Sequence, residues 1–356
     1  MQAISHTYND DFINNGSVNL KKNFVRIFNV FFFVFCSSAQ ASTKKDMLQF
    51  LDLFSEDAKS VYVLEGKIES IEGIIEVAAA SISTGDITDK EGLATLLTNE
   101  LAKVDKHFSV SVYQSFDSEQ EIASESYWHR LRRKNSGFQS IQILEGNIGF
   151  LNLTGFDKVN AKSMKRAKIA MTFMSDVDSI IIDLRENRGG SPDMVSVLVG
   201  YFFENEVELS RIYERASDTT IEFASEQVTK DLRRPQMPLY LLTSNDTFSA
   251  AEAFSYDLQH YEKAIVVGER TGGGANPIRT YLYDEGFAVA IPYAKAINPV
   301  TGSNWEGVGV KPDVEVSAAK AFKKAYCLAL KDQAGNSLTT PKSLDAKRQI
   351  VSLNCG

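Results

Sequence analysis

The chain has 356 residues, 38 Lys and Arg against 46 Asp and Glu, a net charge of -8, and 44% hydrophobic with 24% charged residues. That hydrophobic share excludes wholesale disorder. The acidic balance excludes nucleic acid as the main partner, because no surplus of cations is there to neutralise phosphates. In chain order, Lys21, Lys22 and Arg26 precede the apolar run Ile27 to Cys36, and Ala39-Gln-Ala41 follows as a small-residue cleavage signal. The run is about ten residues, too short to remain as a membrane span. Residues 1–41 are therefore expected to be a signal peptide, cleaved after Ala41, with the product exported to the periplasm or secreted. Only Cys327 and Cys355 remain beyond that point. In an exported chain they predict one disulfide, closing a loop of about 29 residues and worth about 3 kcal/mol.

From Lys45 to Leu101 the pattern is helical. Met47, Leu48, Leu51 and Phe54 share a face, as do Ile68, Ile71, Ile74 and Ile75. Thr88-Asp-Lys-Glu91 has capping-box spacing ahead of Leu93, Leu96 and Leu97. Residues 42–106 are read as a small helical domain. Past His107 the period becomes alternation in Phe108-Ser-Val-Ser-Val-Tyr113, a half-buried strand, and Gln114 to Ser126 reads as a loop. Arg130 to Lys134 is a short basic run, best taken as a solvated face.

Strands and helices then alternate. Asn147 to Leu153, Ser179 to Leu184, Leu239 to Thr243 and Ala264 to Gly268 are strands; Ala161 to Met174, Met194 to Phe203 and Ala250 to Tyr261 are helices. This order argues an α/β core over residues 107–320 with mainly parallel pairing, and residues 321–356 form a tail packed on it.

Three separated segments carry chemistry: Asp183-Leu-Arg-Glu-Asn-Arg-Gly-Gly190, Thr247-Phe-Ser-Ala-Ala-Glu252, and Trp305-Glu-Gly-Val-Gly-Val-Lys-Pro-Asp313. Ser249 opens a helix after a buried strand, where the positive end of the helix favours a developing oxyanion and the Ala250 N–H is free to donate. The same Ser-x-x-Glu spacing is also a plain capping box. Gly189-Gly190 ends a strand; the common fate of such a pair is a turn, but glycine also lets an N–H approach a substrate oxygen without a Cβ in the way.

In combination these segments resemble the tail-specific (C-terminal processing) protease family, in the branch similar to interphotoreceptor retinoid-binding protein. The resemblance extends from about Tyr62 to Val316. It implies a crotonase/ClpP-like α/β core behind the helical domain, Ser249 as nucleophile, and Gly190 with Ala250 as the oxyanion hole. Gly189, Thr271, Gly272 and Gly273 would bind substrate, Arg270 would help shape the groove, and Asp183 and Arg185 would hold the oxyanion loop. Many members use a lysine base in a Thr-Phe-Gly-Lys-Gly stretch, but Thr271-Gly-Gly-Gly-Ala275 places Gly274 there. Three histidines follow the leader. His260 lies eleven residues along the helix from Ser249, roughly 16 Å by helical rise. His129 sits in a basic, loop-like stretch. His107, in Asp105-Lys-His107, resembles the Asp-x-His motif of histidine-using relatives and is the expected base, with Glu306 as the orienting acid. Asp313 is expected to cap or turn the chain after Pro312. About 30 residues between His107 and Ile141 leave no room for the PDZ domain of tail-specific members.

The resulting expectation is an exported serine-type endopeptidase acting on proteins or peptides, with no cofactor. Scattered histidines give no metal-ligand cluster. The alternative is a carrier of retinoid- or fatty-acid-like ligands on the same fold.

Overall fold

The computed structural model describes residues 28–113, 127–335 and 340–355. The predicted loop 114–126 and most of the predicted leader lie outside them. Helix α1 (Phe28–Val61) runs unbroken through the predicted cleavage point, and α2 (Ile68–Thr84) and α3 (Lys90–Leu101) follow. Among the described residues no helix is long and apolar enough to cross a membrane. The helical pattern buries one stripe: Met47, Phe50, Leu51 and Phe54 on α1, Ile71, Ile75, Ala78 and Ile82 on α2, Leu93, Leu97 and Leu101 on α3. The α3 cap is Asp89 rather than Thr88. Its backbone is extended (φ -141°, ψ 164°) and its Oδ1 accepts the Gly92 N–H at 2.8 Å.

The remaining elements are β1 (Ser109–Val112), α4 (Tyr127–Arg133), β2 (Phe138–Leu144), β3 (Ile148–Leu153), α5 (Ala161–Phe173), β4 (Ser179–Asp183), α6 (Pro192–Val199), β5 (Arg211–Glu214), β6 (Thr219–Ile221), β7 (Leu239–Thr243), α7 (Ala250–His260), β8 (Ala264–Gly268), β9 (Ile278–Tyr283), β10 (Phe287–Pro292), β11 (Ala294–Ile297), β12 (Val314–Glu315), α8 (Ala318–Ala334) and α9 (Pro341–Ser352). The helix expected over Met194 to Phe203 is α6 followed by a single 3₁₀ turn, Gly200–Phe202.

The central sheet has the order β12-β8-β7-β4-β3-β2, parallel except where β2 meets β3. Its middle strands β4 and β7 are buried along their whole length, as expected when helices cover both faces. Alternation sorts their side chains: Ile180 and Ile182 face the cluster of α5, α6 and α7, while Ile181 and Leu242 face α8 and α9. The predicted parallel core is thus present, but two antiparallel sheets, β1-β10-β9 and β11-β5-β6, accompany it unpredicted. β5 and β6 are short and half or fully exposed, so they bear no clean hydrophobic alternation.

The helical layer packs on the β1-β10-β9 sheet: the Phe50 ring stacks on Phe287 at 4.0 Å and meets Tyr283 edge-on at 5.1 Å. This clamp fixes the segment entering β1, which carries His107. Behind the central sheet a disulfide joins Cys327 on α8 to Cys355 after α9, with Cα atoms 5.5 Å apart.

Candidate active site

Ser249 sits on a sharp strand-to-helix turn between β7 and α7, with φ 55° and ψ -122°. A non-glycine residue in that region costs of order 1–3 kcal/mol and persists only where its surroundings over-determine it. They do so here. The Ser249 N–H donates to Glu252 Oε2 (2.8 Å), the Phe248 N–H to the Asn187 carbonyl (3.0 Å), and the Thr247 hydroxyl to the Leu184 carbonyl (2.8 Å). A serine held this way at the head of a helix is the geometry of a nucleophile elbow.

The glycine turn lies against that elbow. A Cβ on Gly189 would stand 2.8 Å from Ser249 Cβ and 2.9 Å from the Ala250 nitrogen. Asn187, fully buried, anchors the turn: its Nδ2 donates to the Leu153 carbonyl and its Oδ1 accepts the Gly189 N–H, each at 2.9 Å. Tyr127 donates to the Gly189 carbonyl at 2.8 Å. Gly190 pairs with Phe156 in a parallel bridge made by its neighbours: Phe156 N–H to the Gly189 carbonyl and Ser191 N–H to the Phe156 carbonyl. The Gly190 N–H is left out of that bridge. Among the described residues neither it nor the Ala250 N–H has a hydrogen-bond partner. Gly190 has φ 137°, and a Cβ there would lie 2.0 Å from the Phe156 carbonyl oxygen, so only glycine fits.

His107 reaches the same place from the opposite layer. Its ring is 4.6 Å from that of Phe248, the neighbour of Ser249. Asp105 turns it in: Asp105 Oδ1 accepts the His107 backbone N–H at 3.0 Å and lies 3.8 Å from Nδ1. Glu306 completes the group, and ligand atoms of Asp105, His107 and Glu306 all lie within 4.8 Å of one another. Glu306 Oε2 accepts the N–H groups of Ala275 (2.7 Å) and Asn276 (3.2 Å). Burial lowers the His107 pKa to about 4 against the pull of Asp105, so the imidazole is neutral and able to accept a proton. Burial, aided by the Asp105 charge, raises the Glu306 pKa to about 7.

The absence of a lysine at position 274 has a steric reason. A Cβ on Gly274 would stand 2.2 Å from Phe248 Cζ and 2.6 Å from His107 Cε1. The histidine and the phenylalanine occupy the space into which a side chain from this position would project.

Glu252, read from sequence only as half of a capping box, is the hub of the site. Fully buried, its carboxylate takes four donors: the N–H groups of Ser249 (2.8 Å), Gly273 (2.7 Å) and Gly274 (2.8 Å), and the Thr271 hydroxyl (2.5 Å). Burial raises its pKa while those donors pull it down. Thr271, expected to touch substrate, is itself buried, with its hydroxyl between Glu252 and the Val310 N–H (2.6 Å). Gly272 accepts from Lys106 Nζ at 2.5 Å and donates to the Thr247 carbonyl at 2.9 Å; Gly273 accepts from the Gly307 N–H at 2.9 Å. The 271–274 segment thus ties the Ser249 turn, the His107 segment and the Glu306 loop together. Arg270 reaches the Val308 carbonyl (3.1 Å).

Other expected residues sit apart. His129 lies on helix α4, not in a loop, because Tyr127–Arg133 places only Leu131 inward. His260 closes α7, its Nδ1 2.9 Å from the Tyr256 carbonyl oxygen. Asp183 and Arg185 pair with each other, and Arg185 also donates to the Ala318 carbonyl. Asp313 accepts the Val266 N–H at 2.7 Å and Gln259 at 2.9 Å, which fastens the chain beside β8 after Pro312.

Residues 147–316 match the model of peptidase family S41. Over that stretch the chain is similar to peptidase family S41. The matched stretch contains Gly190, Ser249 and Glu306, while His107 precedes it. Over 192 residues, 54% of this chain, it is 27% identical to a probable CtpA-like serine protease of Staphylococcus epidermidis, of which it covers 38%. The chain therefore spans about two fifths of the length of the curated relatives it matches. Two solved structures share the fold. A putative peptidase from Parabacteroides merdae has a TM-score of 0.56 at 19% identity, over 84% of this chain and 99% of that one. A mutant of CPAF has a TM-score of 0.61 at 13% identity, over 87% and 98%.

Proposed function

We propose that this chain is an exported serine endopeptidase that cleaves unfolded proteins or peptides through an acyl-enzyme. The observation that carries the reading is the approach of a neutral, buried His107 to the strained Ser249 turn, with two unpaired backbone N–H groups beside that turn. Ser249 Oγ attacks the scissile carbonyl carbon as His107 takes the hydroxyl proton. The carbonyl oxygen becomes an oxyanion and accepts the N–H groups of Gly190 and Ala250, each worth roughly 10²–10³ in rate. Collapse breaks the C–N bond, His107 returns the proton to the leaving amine, and water reverses the sequence to free the acid. Glu306 is assigned the task of holding the imidazole and stabilising its charged form. The match to peptidase family S41 and the name of the staphylococcal relative support proteolysis.

A lipid-carrier role has less behind it. One cavity of about 530 Å³, beside Ser244 to Asp246, counts Asp183, Arg185, Glu186, Asp246 and Glu269 among its lining, a surface unsuited to a retinoid or fatty acid. The direct test is labelling with an organophosphonate that reacts with activated serines. The reading expects one adduct, on Ser249, lost in His107→Ala; an unlabelled Ser249 in folded protein would count against it.

A further inference from the structure

Among the described residues six buried side-chain polar atoms have no hydrogen-bond partner, and three of them converge on one place. These are Tyr62 Oη, His107 Nδ1 and Asn276 Oδ1. The Asn276 amide donates to Asp105 Oδ2 at 2.8 Å, and its backbone N–H reaches Glu306. Tyr62, wholly buried, faces the charges of Asp105 and Glu306. The His107 side chain is 9% exposed and that of Asp105 is fully buried. Buried polar atoms are nearly always satisfied, so a cluster of unsatisfied ones around two carboxylates marks a place built for something further.

We infer that Asp105, His107 and Glu306 form a binding site for a divalent transition cation of the zinc type, and that its occupation switches the peptidase off. One imidazole nitrogen and two carboxylates are a donor set suited to Zn²⁺, whereas Mg²⁺ and Ca²⁺ take oxygen ligands alone. The three ligand atoms already lie within 4.8 Å of one another. Bonds of about 2.0–2.2 Å to a common ion need shifts of about an ångström in the ends of these side chains, not a rebuilt backbone. Tyr62 Oη and Asn276 Oδ1 stand by as outer partners for the ligands or for a bound water.

The inhibition follows from proton bookkeeping and rests on the proposed role of His107. A neutral imidazole carries one N–H. With the Nδ1 lone pair on the metal, that proton resides on Nε2, which can then accept nothing from Ser249. The metal also draws Glu306 away from the imidazole it would hold.

The test is a calorimetric titration of the folded, chelator-treated protein with Zn²⁺, Mg²⁺ and Ca²⁺. It is run on the unsubstituted chain and on Ser249→Ala, His107→Ala, Glu306→Gln, Asp105→Asn and the control His129→Ala, each checked for a cooperative thermal transition. The inference expects one Zn²⁺ per chain and no Mg²⁺ or Ca²⁺. It expects binding retained in Ser249→Ala and His129→Ala, and weakened at least about 10-fold in the ligand variants. No Zn²⁺ uptake, or uptake indifferent to His107→Ala and Glu306→Gln, overturns it. Because binding is read without turnover, and on the Ser249→Ala chain as well, its failure is separate from a failure of the peptidase reading. With cleavage in hand, Zn²⁺ should abolish it and a chelator restore it.

Discussion

His107 and Glu306 share a burial site but answer to pH in opposite senses. Folding lowers the His107 pKa from 6.5 to about 4. Between those values the unfolded chain holds a proton that the folded chain lacks, so this residue makes stability rise with pH. Glu306 is raised from 4.5 to about 7. In that window the folded chain holds the extra proton, and stability falls as pH rises. The two effects oppose each other between about pH 4.5 and 6.5. In chelator-treated protein, Glu306→Gln removes the falling contribution, so Tm should climb more steeply over that window than in the unsubstituted chain; parallel profiles would refute the assignment. In the same metal-free enzyme kcat/KM should rise with pH through about 7, as Glu306 ionises and becomes able to hold an imidazolium. Glu252 makes a different prediction. Glu252→Gln replaces an acceptor of four donors by a group with one acceptor oxygen and two donors of its own. Urea unfolding should show a loss of about 1–3 kcal/mol, and kcat should fall because the same four donors fix the elbow.

The 271–274 segment is the element on which the site turns. Gly274 has Phe248 and His107 within contact of any Cβ. Gly274→Ala must therefore push the imidazole or the ring aside, and steady-state kinetics should show kcat/KM down by about 10²-fold, the usual consequence of an ångström-scale misplacement. Retention of full activity would mean that His107 is not the working base. This segment also shows where sequence reasoning stops. The missing lysine is plain in Thr271-Gly-Gly-Gly-Ala275, but its cause, the Phe248 ring beside Ser249, belongs to tertiary packing. Ser249-x-x-Glu252 is visible as a cap because both partners lie within one helical turn. The other three donors to Glu252 come from 19 to 22 residues further on, and no local pattern announces them. Asn187 is hidden for the same reason: it stands inside a recognised motif, yet its task is a bond to Leu153 on a neighbouring strand. The parallel strands were legible because burial on both faces leaves continuous apolar runs. The β11-β5-β6 sheet was not, because its strands span four, four and three residues and neither β5 nor β6 buries a residue.

Across the whole molecule, three layers divide the labour. The central sheet and its helices supply Ser249 and the Gly189-Gly190 turn, the proposed nucleophile and oxyanion hole. The α1–α3 layer, clamped on β1-β10-β9, delivers His107 and Asp105, and the loop before β12 delivers Glu306. The α8–α9 pair lies on the far face of the central sheet, so its disulfide stabilises without touching the chemistry. Cys327→Ser should cost roughly 2–4 kcal/mol in urea unfolding while leaving kcat unchanged below the transition. The central claim is that residues from these separate layers act together as one peptidase. The most direct measurement is digestion of an unfolded protein by the purified chain, read by mass spectrometry beside Ser249→Ala and His107→Ala. The account predicts new peptide termini with the unsubstituted protein and none with either variant. Cleavage that persists in folded Ser249→Ala, or in folded His107→Ala, would contradict it.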